Sequence, residues 1–155
     1  MASFIPFNYR VIDADAIDGD TFDTSFWLRD KKDLGFQITD VGQMMRMRVR
    51  VWGIDLPEMK GGGKETESAK AAKAIADAVM TRALLQIDPV ILHSHRWDKY
   101  GGRVIGDFAS PKFYAGSFTE EMIRNWGARR YMGDKKEPWT EAELDKIIAL
   151  AKTLA

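Results

Sequence analysis

The stretch Arg46-Met47-Arg48-Val49-Arg50-Val51-Trp52-Gly53-Ile54-Asp55-Leu56-Pro57-Glu58 begins in strict alternation and ends in a cluster of chain breakers and acids. Successive residues of a strand face opposite sides, so Arg46, Arg48 and Arg50 share one face while Met47, Val49 and Val51 share the other. Such a strand turns its apolar face to a core. Gly53 and Pro57 interrupt it on either side of Asp55, which predicts a rigid loop at the strand's mouth carrying Asp55 and Glu58. A solvated arginine face followed by a helix-initiating Asp-x-Pro-Glu would give the same letters with no chemistry attached.

Outward from this strand, β-favouring residues alternate around Tyr9–Ala14, Thr21–Leu28, Val90–Ser94 and Arg103–Phe108, with the arginine strand itself near Met45–Trp52. Five short strands predict a barrel or a sandwich. Between Glu65 and Leu85 the period changes: Ala69, Ala72, Ala76, Val79, Met80, Ala83 and Leu84 recur at helical spacing behind the flexible Gly61-Gly62-Gly63. Ser117-Phe118-Thr119-Glu120 has the spacing of a capping box and opens a second helix with Phe118, Met122, Ile123 and Trp126 on one side and Gly127 as its stop. Thr140-Glu141-Ala142-Glu143 repeats the box before a third helix with Leu144, Ile147, Ile148, Ala151 and Leu154 as its apolar stripe, and Trp139 is placed to staple onto Leu144. Asp134–Pro138 is a polar connector.

The chain has 155 residues, 45% of them hydrophobic, with five Trp and eight Phe, which suits one domain with ample apolar surface. A single unit over 1–155 is expected, the barrel and first two helices within about 1–133 and the C-terminal helix within about 140–155. The 23 basic and 23 acidic residues balance, so a nucleic-acid partner would need a local cluster of cations. There is no cysteine, which removes disulfides and thiolate metal sites. No apolar stretch of signal length opens the chain and no run approaches a membrane span, so a cytoplasmic monomer without a membrane partner is expected.

Two further segments carry candidate chemistry. In Ile17-Asp18-Gly19-Asp20-Thr21-Phe22, period-two geometry places Asp18 and Asp20 on one face, where oxygen donors suit a hard cation, and Gly19 permits an unusual backbone angle or a close approach. Asp-Gly is equally a common turn dipeptide. Trp97-Asp98-Lys99-Tyr100-Gly101-Gly102-Arg103-Val104 serves as a plain hairpin connection, yet its Lys, Tyr and Arg also suit phosphate contact. His93 and His95 face the same way on a strand; with no cysteine and no third histidine they fit barrel-mouth packing better than a transition-metal site.

Taken in order, Asp-Gly-Asp-Thr, Arg-Val-x-Gly-Ile-Asp-x-Pro-Glu and Asp-Lys-Tyr-Gly-Gly-Arg resemble the staphylococcal nuclease, or thermonuclease-like, family over roughly Tyr9 to Tyr131. The resemblance implies an α+β fold: a five-stranded oligonucleotide/oligosaccharide-binding (OB-fold) barrel with three helices. It implies Ca²⁺ on Asp20, Asp55 and the carbonyl of Leu56, with other divalent metals as substitutes. Glu58 falls on the family's acid associated with the attacking water, and Arg50 and Arg103 on its phosphate-binding arginines. Lys99 and Tyr100 match substrate-phosphate contacts, Tyr131 an aromatic beside the base, and Asp18 and Thr21 stand behind the metal ligands. The implied activity is a Ca²⁺-dependent, sugar-non-specific or DNA-preferring endonuclease that leaves 3′-phosphate products with little sequence preference. DNA is the expected partner, with RNA left open, and loss of Arg50 is expected to cripple the chain without unfolding it.

The chain departs from the family pattern in three places. Thirty positions separate Asp20 from Arg50, and the added stretch holds Asp33-Leu34-Gly35-Phe36, which resembles phage and bacterial members. Gly102 adds a second glycine before Arg103, and Gly127 in Asn125-Trp126-Gly127-Ala128 falls one place late. The alternatives are a catalytically inactive OB-fold module that binds nucleic acid or protein, and a structural or phage-assembly scaffold. Two aspartates, a glutamate and both arginines at matching places favour the enzyme.

Overall fold

In a computed structural model that describes residues 7–27, 44–99 and 102–154, the arginine strand lies in the middle of a barrel. This strand, β3 (Met44–Val51), pairs antiparallel with β2 (Thr21–Trp27) and parallel with β6 (Arg103–Ala109). β1 (Phe7–Asp18) flanks β2, β5 (Ile91–Trp97) flanks β6, and pairing of β1 with β5 closes the ring in the order β1-β2-β3-β6-β5. The fold is therefore α+β, a closed five-stranded mixed barrel of the OB kind with three helices: α1 (Gly63–Leu84), α2 (Phe118–Asn125) and α3 (Glu141–Ala151). Register shifts in β1 and between Ser94 and Arg96 of β5 bend the strands enough for a small ring to close. The Asp33–Phe36 segment lies outside the described residues.

The predicted alternation holds: Val49 and Val51 are fully buried with Phe22, Leu92 and Phe108. Phe22, Phe108 and Phe113 all meet Phe118 edge-on, with ring centroids 5.3, 6.2 and 5.5 Å away, which docks α2 on the barrel. Each such side chain contributes about 1.5–3 kcal/mol by burial. The helical stripe of α1 includes Ile75, also fully buried, and α1 packs between β1 and α3. Ala-rich spacing allows this close approach, and Ser68 Oγ donates to the Leu144 carbonyl across the helix pair at 3.3 Å.

Three expectations are corrected. Gly53–Asp55 is not a loop but a short strand, β4, paired antiparallel with β7 (Arg129–Tyr131), so Asp55 is fixed opposite Arg129 by a backbone ladder. Gly53, with φ 92°, makes the sharp turn out of β3 without ending extended structure. The Ser117 box is only half formed: its hydroxyl accepts from the Glu120 backbone N–H, while the Glu120 carboxylate pairs with Arg130 instead. The Thr140 box, by contrast, is complete. Asp18 and Asp20 do not share a strand face; Asp18 ends β1 and Asp20 lies in the turn that leads to β2. Among the described residues, no helix is long and apolar enough to cross a membrane.

The β5–β6 rung tolerates no side chain at Gly106, where a methyl would lie 2.4 Å from the His93 carbonyl oxygen. That oxygen belongs to the neighbouring strand and cannot move without opening the barrel. Gly106→Ala is expected to cost at least about 2 kcal/mol, read as a lower urea midpoint with unchanged slope. A wild-type midpoint would contradict this packing.

Candidate functional site

The β1–β2 turn is both a turn and a convergence of acids. The Asp18 side chain accepts from the Asp20 backbone N–H at 3.1 Å, the local bond that makes Asp-Gly-Asp fold back on itself. Gly19 is required for closeness: a Cβ there would lie 2.6 Å from Leu56 Cδ1 and 2.9 Å from Ala72 Cβ. The turn is thus pressed against Leu56 and α1. The Asp20 carbonyl accepts from Val51 N–H at 2.7 Å, which ties the turn to the end of β3.

Asp20 is only 8% exposed. Burial, opposed by the Arg50 guanidinium and reinforced by the neighbouring Asp18, pushes its carboxyl up to about 7. Thr21 Oγ donates to its Oδ1 at 3.0 Å, and Arg50 Nη2 stands 3.4 Å from Oδ2. Arg50 reaches that position because Thr21 and Arg50 are partners across β2 and β3. Its own Nη1 is steadied by the Val51 carbonyl at 3.2 Å.

Arg103, at the start of β6, donates through Nε to Asp98 at 2.7 Å, so its terminal nitrogens are the ones left to grip a ligand. The same bond holds Asp98 below the usual carboxylate range. Gly102 has φ 79°, and Arg103 enters β6 opposite Arg48.

Asp55 is 3% exposed, and its Oδ1 is buried without a hydrogen-bond donor. The Lys136 ammonium approaches that oxygen as an ion pair at 3.1 Å and donates to Glu58 Oε1 at 2.8 Å. Hydrogen bonding to Lys136 lowers the Glu58 carboxyl below its ordinary value. Burial acts to lower the Lys136 ammonium, but its two carboxylate partners outweigh it and raise the group. Lys136 comes from the connector between β7 and α3, where no periodicity or motif marks it in the sequence.

Asp18, Asp20, Thr21, Arg50, Leu56 and Glu58 line one cavity of about 430 Å³, completed by Arg103 and Lys136. Asp55 does not line it and is linked to it through Lys136. A second cavity of about 440 Å³ shares Arg50, Arg103 and Lys136 and adds Lys99, Tyr131, Arg96, Trp52 and Trp97. Lys99 and Tyr131 therefore line the same cavity as the arginines, and the Tyr131 ring centroid lies 5.6 Å from Lys136 Nζ. Tyr100 lies outside the described residues. His93 and His95 line a third cavity with Asp107, whose half-buried carboxyl accepts from Ser117 Oγ and from Thr119 N–H at 3.1 Å and so anchors the start of α2.

The donor chemistry suits a hard cation. A carboxyl raised chiefly by burial, with Arg50 already beside it, and a buried carboxylate oxygen that meets Lys136 only as an ion pair would both gain from an added cation. Among the described residues no three His, Asp or Glu side chains form a group that could hold an ion; Asp20 and Leu56 line the cavity and Asp55 does not, so an ion there would need further oxygens from water or a ligand. The chain matches no protein-family model and no curated protein.

The buried Asp20 dictates a pH signature. Its carboxyl titrates near 3.8 when unfolded and about 7 when folded, so below the lower value both states hold the proton and burial is harmless. As pH rises through this window only the unfolded chain releases the proton, and stability falls until the upper value is passed. In chelator, Asp20→Asn is expected to be more stable than wild type at pH 8, with the difference vanishing toward pH 4. Parallel stability curves for the two proteins would exclude Asp20 as the titrating group.

Proposed function

We propose that the chain is a metal-dependent endonuclease of the staphylococcal-nuclease type, sugar-non-specific or DNA-preferring, that uses Ca²⁺ or a related divalent ion. The single observation that supports it is the meeting of Asp18, Asp20, Arg50, Glu58 and Arg103, from three separate stretches of sequence, around one cavity. Two guanidiniums beside buried carboxylates match what phosphodiester hydrolysis demands: relief of charge on the phosphate oxygens and an oriented water.

Asp20, Asp55 and the Leu56 carbonyl would hold the ion, which when bound supplies Lewis acidity toward a phosphate oxygen and a more acidic water. Arg50 and Arg103 grip the non-bridging oxygens from two sides and bear the negative charge that grows on them. Glu58 is ionised at neutral pH, with Lys136 holding its carboxyl below the ordinary value, and its exposed carboxylate fixes the attacking water or accepts its proton. A bond forms from water oxygen to phosphorus while the bond to the 5′ oxygen breaks, leaving a 3′-phosphate and a 5′-hydroxyl. Contacts that read phosphate give little sequence preference.

One observation favours a second reading, a binding module without catalysis. Lys136 already bridges Asp55 and Glu58, so part of the negative charge that a metal would neutralise is balanced by the chain itself. The two differ in whether that ammonium yields to an ion.

Arg50 also changes the choice of variants. Because it is the cationic partner of buried Asp20, Arg50→Ala strands a carboxylate and is expected to destabilise the fold as well as the reaction. Glu58→Gln, at a more exposed position, is the cleaner test, whereas Arg103→Ala removes the partner of Asp98 and is expected to lower stability as well. The wild-type chain is expected to nick supercoiled DNA with Ca²⁺ and to stop on chelation, and Glu58→Gln is expected to cut roughly a hundred- to a thousandfold more slowly at unchanged melting temperature. DNA binding with no cutting under Ca²⁺, Mg²⁺ or Mn²⁺ would select the module.

A further inference from the structure

Asp55 and Glu58 already share a cation, and it comes from the chain itself. The Lys136 ammonium meets Asp55 Oδ1 as an ion pair at 3.1 Å and donates to Glu58 Oε1 at 2.8 Å. A lysine between two exposed acids would be a surface pair of small effect. Here Asp55 is almost fully buried, and that same oxygen has no hydrogen-bond donor among the described residues, so without the ammonium its charge is left uncompensated. The backbone on either side is tied down: the carbonyls of Glu137 and Pro138 accept from Arg129, which faces Asp55 across the β4–β7 ladder. The lysine stem itself is partly exposed and has a second place to rest, since the Tyr131 ring centroid lies 5.6 Å from Nζ in the cavity that Lys136 shares with Arg50 and Arg103.

We infer that Lys136 is a tethered counter-cation that holds Asp55 and Glu58 until a divalent ion displaces it, so that this one side chain sets the concentration at which the ion binds. The inference rests on the reading of Asp55 as an ion ligand. Two positive charges on one buried carboxyl repel strongly where water is scarce, so an ion that takes Asp55 drives the ammonium off it. The competition is intramolecular: an ammonium on a short, anchored tether acts at an effective concentration on the order of millimolar. A monovalent ion brings no more charge than the ammonium and lacks its tether, so Na⁺ and K⁺ do not displace it. The displaced ammonium turns to the Tyr131 face. While it stays on the acids, it neutralises a buried charge that would otherwise weigh against the fold.

The experiment is a calorimetric titration of the full chain with CaCl₂ at constant ionic strength and without nucleic acid, paired with thermal melts in chelator and in saturating Ca²⁺. Lys136→Met keeps the length of the stem and removes its charge. It is expected to bind Ca²⁺ at least about tenfold more tightly than the wild type, to melt lower in chelator, and to gain more from Ca²⁺ than the wild type does. Lys136→Arg, which restores a cation on the same tether, is expected to return the affinity to within about threefold of wild type. Lys60→Met removes an equal charge from the cavity and is expected to change the affinity by no more than about threefold. Should Lys136→Met not fold, Lys136→Gln, whose neutral amide can still donate to Asp55, carries the same comparison. Equal or weaker Ca²⁺ binding by the Lys136 variant, or an equal gain in Lys60→Met, overturns the tethered counter-cation while the metal-dependent reading stands. Binding by the Lys136 variant with none by the wild type upholds it and removes the Ca²⁺-dependent nuclease in favour of the module. No binding by any of these proteins overturns both.

Discussion

The register between β2 and β3 is the constraint on which the rest depends. Thr21 faces Arg50, Phe22 faces Val49 and Asp23 faces Arg48. Because strand side chains alternate, a slip of one residue would carry Val49 and Val51 into water and three arginines into the core, a cost no local adjustment could offset. The apolar face therefore fixes the polar one. Once Val49 and Val51 are buried, Arg50 must project beside the β1–β2 turn, where the Asp20 carbonyl is already bound to Val51 N–H. Packing, rather than attraction between charges, brings acid and base together.

The same face shows how a chain of zero net charge builds a local cationic site. Arg46 pairs with Asp13 and Asp15, each at 2.9 Å, and Arg48 approaches Asp23 at 3.4 Å. These pairs are exposed and contribute little to stability. Their effect is to confine the positive potential to one end of β3, where Arg50, Arg103 and Lys136 border two adjoining cavities. Arg50 differs from Arg46 and Arg48 in being partly buried beside a buried partner, which couples its orientation to that of Asp20.

Much of the barrel was legible because its signals are local. Alternation in Arg46–Val51 marks a half-buried strand, and the helical spacing from Ala69 to Ala83 marks α1, whichever way the elements later pack. Asp18, Asp20, Arg50 and Glu58 were legible as residue types, and their convergence follows from strand register. What escaped the sequence was non-local. Pairing of Gly53–Asp55 with Arg129–Tyr131 joins segments with no periodicity between them, so Asp55 reads as a loop residue until its partner strand is known. Ser117-x-x-Glu120 has the letters of a full capping box, but Arg130 draws the carboxylate away. Trp97 opens a turn motif, yet its place in the cavity beside Arg50 and Arg103 depends on a bulge in β5 that no residue of that strand announces.

Lys136 is the clearest such case, and its placement gives α3 a part in the site. The connector that carries it has no regular structure, so something else must hold it in place. Arg129 does so: its guanidinium donates to the carbonyls of Glu137 at 2.7 Å and Pro138 at 2.9 Å, stacks 4.0 Å over the Trp139 ring, and forms a two-pronged bond with Glu143 in the first turn of α3. Glu143 is pulled down to about 2 by that arginine, and it also closes the Thr140 capping box. Arg129 in turn is fixed by its place opposite Asp55. One arginine thus links the strand bearing Asp55, the connector bearing Lys136 and the cap of α3. The C-terminal helix packs against α1, but through Arg129 it also steadies the ammonium that stands between Asp55 and Glu58. Positioning that cation requires the whole chain from β4 to α3.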